Sequence, residues 1–186
     1  NYKLIICDEA FLSITPEGDK ESLISLVKDF DNLIVIRSLT KLFSIAGLRL
    51  GYIVGNSQLL NILRNKRDPW PLNSFAIKAG ITLLKNKKEY KKWTNKIHNW
   101  INNEKDWMSY KISKIDEIRV FNSSTNFFLI KGKNSLSPNI KYLEKQGILI
   151  RECSSFRSLS NKWARISIQK HSQNKKIINE IQNSFK

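Results

Sequence analysis

Long apolar runs are what the sequence most plainly lacks. Nothing in it approaches the ~20 consecutive apolar residues that a membrane-spanning helix needs, and its opening, Asn1-Tyr2-Lys3, is not the charged-then-apolar form of a secretory signal. A cytoplasmic protein with no membrane partner is expected. Cysteine is scarce too: Cys7 and Cys153 are the only two, too few for a disulfide framework. Cys7 lies in an apolar run, where a thiol behaves as a small hydrophobe, so both are expected to be reduced and neither catalytic. Seven glycines and four prolines exclude a collagen-like or low-complexity chain. Acidic residues are outnumbered, 16 against 32 Lys and Arg, for a formal net charge of +16. Such an excess invites a polyanion partner. Against that, only eight of the 32 are Arg, the residue better suited to bases and phosphates. The lysine bias comes with abundant Asn and Ile and can be spread over any fold's surface, so no nucleic-acid partner is expected.

What is present fits an ordinary globular chain, 41% hydrophobic and 26% charged over 186 residues. Leu4 to Cys7 and Leu33 to Ile36 are apolar runs that end at Asp8 and at Arg37-Ser38, and both read as buried strands. Between them Leu23, Leu26, Val27 and Phe30 recur at helical spacing, which predicts a helix over 21–30 and hence a strand, helix, strand crossover of a parallel sheet. Leu48 to Val54 predicts a further strand and Gln58 to Asn65 a helix, before Asp68-Pro69-Trp70-Pro71 breaks the pattern. From Ser74 to about Lys114 the spacing predicts one long helix or a pair. There Trp93, Trp100 and Trp107 recur every seven residues, marking a helix face that seeks a core or a partner subunit. Shorter elements follow: strands at 118–121, 127–130, 148–151 and 164–168, and helices at 138–146 and 172–185. The reading is α/β, with a mainly parallel first domain over 1–100 and a small α+β domain over 101–186. An apolar strand at the very start, with no initiator Met, reads as the C-terminal part of a longer protein whose missing strands would flank it.

The chemistry-bearing residues gather at strand ends. A lysine that forms a Schiff base must be nucleophilic near neutral pH, partly desolvated and close to other positive charge. Lys41 directly follows a buried strand, three residues after Ser38 and eight before Arg49. Ser38, Thr40 and Arg49 suit a phosphate, the hydroxyls as hydrogen-bond donors and the guanidinium as a bidentate partner. Asp8, ending the neighbouring strand, is a carboxylate of the kind that keeps a pyridine nitrogen protonated. Taken singly, Asp8 as a loop cap, Lys41 as a surface lysine and Arg49 as an ion-pair partner are the better readings. His98 and His171 have no Cys, Asp or Glu at ligand spacing, so no metal site is expected.

The set as a whole, Ser38-Leu39-Thr40-Lys41 followed by Ala46-Gly47-Leu48-Arg49-Leu50-Gly51-Tyr52, resembles the lysine signature of the fold-type I pyridoxal-phosphate enzymes of the class I/II aminotransferase family. The resemblance implies pyridoxal 5'-phosphate as cofactor, held by Lys41 as the reactive amine, by Ser38 and Arg49 at its phosphate and by Asp8 at its ring nitrogen. It also implies a small phosphorylated amino-acid substrate and a homodimer when full length. Further parts of the site are implied to lie in an N-terminal half outside this sequence, so the chain alone is expected to be an incomplete enzyme. Within the family the resemblance is strongest to the branch of histidinol-phosphate aminotransferases and threonine-phosphate decarboxylases. Phe11 stands where the aminotransferases usually carry a tyrosine, and Ile150-Arg151-Glu152-Cys153-Ser154-Ser155-Phe156 and Ala164-Arg165-Ile166 resemble the decarboxylases. Arg151 and Arg165 are then implied to bind a substrate bearing both carboxylate and phosphate. The implied reaction is decarboxylation of L-threonine O-3-phosphate for cobalamin biosynthesis. The alternatives are amino transfer on a compound such as histidinol phosphate or, in another class, a non-catalytic basic binding module.

Overall fold

A computed structural model of the chain describes residues 2–186. The chain divides into two compact units, one running to His98 and the other from Asn99 to Lys186. Among the described residues no helix is long and apolar enough to cross a membrane.

The first unit is built on a three-stranded sheet of order β1-β2-β3, comprising β1 (Ile5–Asp8), β2 (Leu33–Ser38) and β3 (Gly51–Gly55). β1 and β2 are parallel, with Asp8 opposite Ile36, and β3 runs antiparallel to β2, with Ser38 opposite Gly51. The continuous apolar run Leu33-Ile34-Val35 is buried on both faces, as a central strand requires. β1 departs from the expectation of burial, since Ile5 is 38% and Ile6 59% exposed. It lies at the sheet edge, paired only with β2 among the described residues, and apolar composition states a demand for cover without supplying it.

The helix expected over 21–30 is also corrected. Only a 3-10 turn forms, Leu23–Leu26, where Ser22 accepts a hydrogen bond from the Ile24 N–H. Glu9 and Ser22 accept the Leu23 and Ile24 N–H groups at 2.7 and 3.2 Å, as caps of a first turn do, and the turn ends at Leu26. The third strand begins at Gly51, three residues later than expected, because Ala46–Leu48 is a 3-10 turn that ends on Arg49.

A single helical turn, α1 (Leu39–Leu42), follows β2 where none was expected, while α2 (Ser57–Asn65), α3 (Ser74–Lys85) and α4 (Lys87–Ile112) follow their sequence signals. Asn56 and Asn73 cap α2 and α3 by accepting the Gln58 and Ala76 N–H groups, each at 2.8 Å. The stretch from Ser74 is a pair of helices because Asn86 adopts an extended conformation and caps α4, accepting from Lys88 and Glu89 N–H at 3.1 Å. Trp93, at the start of the tryptophan stripe, is used within the first unit: its indole N–H donates to Leu42 O at 2.8 Å and its ring stacks on Phe43.

The second unit carries an antiparallel sheet of order β4-β5-β7-β6, made of β4 (Ile118–Val120), β5 (Phe127–Gly132), β6 (Arg151–Glu152) and β7 (Trp163–Ser167). Helices α5 (Ser137–Lys145) and α6 (His171–Asn183) and the part of α4 from Asn99 complete it. Alternation turns Phe128 and Ile130 of β5 and their cross-strand partners Ile166 and Ala164 of β7 to the core, alongside Leu143, Ile178 and Ile181. The strand expected over 148–151 forms only at its end. Gly147, at φ 73°, turns the chain, and Ile148 N–H is taken by Leu143 O at 2.9 Å. Phe128 is 1% exposed, so Phe128→Ala is expected to destabilise the protein by about 3–5 kcal/mol, read as a lower urea midpoint; a change within about 1 kcal/mol would show that this core does not hold the unit together.

Candidate active site

The residues singled out in the sequence fall in two groups, one in each unit. In the first unit, Asp8, Ser38, Lys41 and Arg49 lie at the ends of β1 and β2 and in the loop before β3. Ser38 ends β2 in an extended conformation and caps α1, accepting the Thr40 N–H at 3.3 Å, while its hydroxyl lies 2.7 Å from that of Thr40. The same hydroxyl oxygen accepts the Lys41 ammonium at 3.4 Å, and Lys41 Nζ also lies over the Phe11 ring, 5.2 Å from its centroid. One helical turn thus collects an amine and two hydroxyls. Lys41 is exposed, in contrast to the partial desolvation expected for it.

Arg49 adopts a left-handed conformation, φ 53° and ψ 47°, at the end of the 3-10 turn. Its guanidinium is exposed and makes one long contact, to Ala46 O at 3.5 Å. The loop that carries it is closed at its base by Leu39 N–H donating to Leu50 O at 3.2 Å and by Ile45 N–H donating to Thr40 O at 3.1 Å. Leu39 and Leu50 are buried together with Ala76, and Phe43, Ile45, Leu48 and Leu72 pack around them. Asp8 is exposed, and one of its oxygens accepts the Ala10 N–H at 2.9 Å.

Behind these residues lies a charged pair that inspection of the sequence passed over. Glu9 and Arg37, 4% and 5% exposed, meet with Arg37 Nε 2.8 Å from Glu9 Oε2, a contact of charges without the alignment of a hydrogen bond. The signal was available: a charge at the end of the otherwise apolar strand Leu33–Ile36 demands a buried partner.

In the second unit, Arg151 and Arg165 are direct cross-strand partners on β6 and β7. Like charges in that position repel unless something lies between them. No ion pair among the described residues involves either one, which leaves no support for a structural carboxylate partner. Arg151 is exposed, donates to Ser155 Oγ at 3.1 Å and lies over the Phe156 ring. Arg165 lies 4.8 Å over the centroid of Phe127, and its Nε is buried without a hydrogen-bond acceptor. The adjacent carboxylate, Glu152, is committed to Ser154 and Ser137, whose hydrogen bonds hold it below the usual carboxylate range. Burial pushes the Cys153 thiol up, against the pull of Arg165 and Arg151, as suits a packed and unreactive thiol. Asn126 has a buried Oδ1 without a hydrogen-bond partner among the described residues. His98 donates to Ser13 O and His171 meets Glu104; among the described residues no cluster suits a metal ion.

The donor set matches an aldehyde cofactor bearing a phosphate and a pyridine ring. It comprises an exposed primary amine, two neighbouring hydroxyls, a guanidinium with no carboxylate partner among the described residues and a strand-end carboxylate. The chain as a whole resembles several known proteins. The profile of the family "Aminotransferase class I and II" matches residues 2–181. A relative from Caldanaerobacter subterraneus, provisionally named a threonine-phosphate decarboxylase, is 32% identical over 182 residues, covering 97% of this chain and 48% of its own length. The crystal structure of histidinol-phosphate aminotransferase from Clostridium acetobutylicum superposes with a TM-score of 0.87 at 31% identity, over 98% of this chain and 54% of that one. The structure of L-threonine-O-3-phosphate decarboxylase from Porphyromonas gingivalis gives 0.81 at 30% identity, over 96% and 54%. The chain spans about half the length of these relatives.

Proposed function

The chain belongs to the aminotransferase class I and II family, and from that premise we propose that its protein is a pyridoxal-phosphate enzyme that decarboxylates L-threonine O-3-phosphate to (R)-1-amino-2-propanol phosphate. The observation that carries the choice of substrate is the pair Arg151 and Arg165, opposed across β6 and β7 with no carboxylate partner among the described residues. A substrate with both a carboxylate and a phosphate relieves that repulsion and fills both forks.

When bound, pyridoxal phosphate supplies a protonated ring that accepts the electron pair released by bond cleavage. Lys41 would hold the cofactor through Nζ, and its amine would be the group placed to move a proton at the substrate Cα. Ser38 and Arg49 bind the phosphate, and the Asp8 carboxylate keeps the proton on the ring nitrogen. Phe11, beside the amine, offers an apolar ring and no hydroxyl.

A second reading, amino transfer on a phosphorylated amino compound, is favoured by the higher superposition on the C. acetobutylicum aminotransferase. One experiment separates the two. Carbon dioxide released from threonine phosphate with no keto-acid acceptor supports decarboxylation, whereas amino transfer to 2-oxoglutarate without carbon dioxide release overturns it. For the arginines, a single charge-assisted contact contributes about 1.5–3 kcal/mol. Arg165→Gln and Arg151→Gln are each expected to raise KM for threonine phosphate by about 10- to 100-fold with cofactor absorbance unchanged; an unaltered KM would remove both residues from the substrate.

A further inference from the structure

Asp8 and Ser38 each have a buried charged neighbour one position away, and those neighbours meet. Glu9 extends the ladder beyond Asp8, its N–H donating to Ile36 O at 2.9 Å, and Arg37 immediately precedes Ser38. Besides facing Arg37 Nε at 2.8 Å, Glu9 Oε2 accepts the Ser22 hydroxyl at 2.8 Å and Oε1 accepts the Leu23 N–H at 2.7 Å. Arg37 Nη1 reaches Asp19 Oδ1 at 3.5 Å. The cluster therefore ties both strand ends to the segment that connects them.

We infer that Glu9 and Arg37 are positioning residues that fix Asp8 relative to Ser38 and Lys41; the inference rests on reading those three as the cofactor-binding group. Successive strand residues face opposite sides, so Glu9 and Arg37 lie on the side away from Asp8 and Ser38 and touch no reacting atom. A buried ion pair is poorly explained by stability, because an apolar pair of similar volume holds a sheet as well or better. What it supplies is register. A slip of one residue between β1 and β2 would turn Asp8 to the wrong face, and it would also carry Glu9 away to the opposite face and leave the buried Arg37 without its 2.8 Å partner. The pair penalises the one error that would disassemble the site while leaving the sheet intact.

The variant Glu9→Gln/Arg37→Gln removes both charges together and keeps polar side chains in place. It is compared with the unaltered protein after addition of pyridoxal phosphate. Two amides report on the strand ends without any cofactor, Ala10 N–H on Asp8 and Thr40 N–H on Ser38. We expect a cooperatively folded variant in which hydrogen exchange at those two amides speeds up by about tenfold while β5 and β7 are unchanged. Cofactor Kd should rise by about tenfold, and turnover should fall on the order of 100-fold, the scale of a misplacement of about 1 Å. If this variant does not fold, Glu9→Leu/Arg37→Met carries the same measurements. A folded variant with unaltered exchange at Ala10 and Thr40 and unaltered cofactor affinity overturns the inference. Failure of the unaltered protein to hold the cofactor at Lys41 sinks the reading of the site instead, and the exchange measurement then still decides whether the pair sets the strand ends.

Discussion

Lys41→Ala is expected to lower turnover by about 10⁴-fold or more, because in the proposed function it removes the amine that would both anchor the cofactor and return a proton to the substrate carbon. The side chain is exposed, its ammonium is donated to Ser38 and lies over Phe11, and no buried group depends on it. Removing it therefore leaves stability nearly unchanged, and loss of activity can be assigned to chemistry. The check is direct. Borohydride reduction of the loaded protein and peptide mapping should find the cofactor on the peptide containing Lys41, and the alanine variant should lose both the label and the visible absorbance of lysine-bound cofactor. Labelling at a different lysine, or activity within tenfold of the unaltered protein, would refute the role given to Lys41.

Asp8→Asn should produce the second largest effect, a fall in kcat of about 10²–10³-fold, the range seen when one preorganised electrostatic group is removed from an active site. The substitution is selective for a structural reason. Asp8 holds the turn after β1 by accepting the Ala10 N–H at 2.9 Å, and an asparagine carbonyl can accept the same bond. Only the negative charge is lost, and with it, in the proposed function, the means of keeping a proton on the ring nitrogen. Labelling at Lys41 should survive in this variant while turnover does not. An equal loss of both would mean that Asp8 shapes the loop and does not tune the ring.

The site was legible in the sequence where its geometry is local. Ser38, Lys41 and Arg49 lie within twelve residues, so their spacing carries the arrangement that the Ser38 cap and the left-handed turn at Arg49 then realise. The buried Glu9–Arg37 pair was not read, since its partners are 28 positions apart and only the β1–β2 register brings them together. The segment 21–30 misled for a different reason. Its apolar spacing fits a helix, but only the 3-10 turn Leu23–Leu26 forms, and periodicity does not tell a single turn from a full helix. The exposure of β1 was likewise invisible, because a run of Leu and Ile states only that burial is favourable. In the second unit the strand alternation of Phe128 and Ile130 was clear, yet the direct opposition of Arg151 and Arg165 needed the pairing of β6 with β7.

The closed base of the loop between Leu39 and Leu50 bears on motion. Lys41 and Arg49 are carried on a single short span whose two ends are joined by Leu39 N–H to Leu50 O and seated in one apolar cluster. A thermal displacement of that span carries the backbone of Lys41 and of Arg49 together, so the gap between their Cα atoms should fluctuate less than either position does. For a ligand gripped at two points, a constant gap matters more than a still frame, and a site built this way can tolerate a mobile surround.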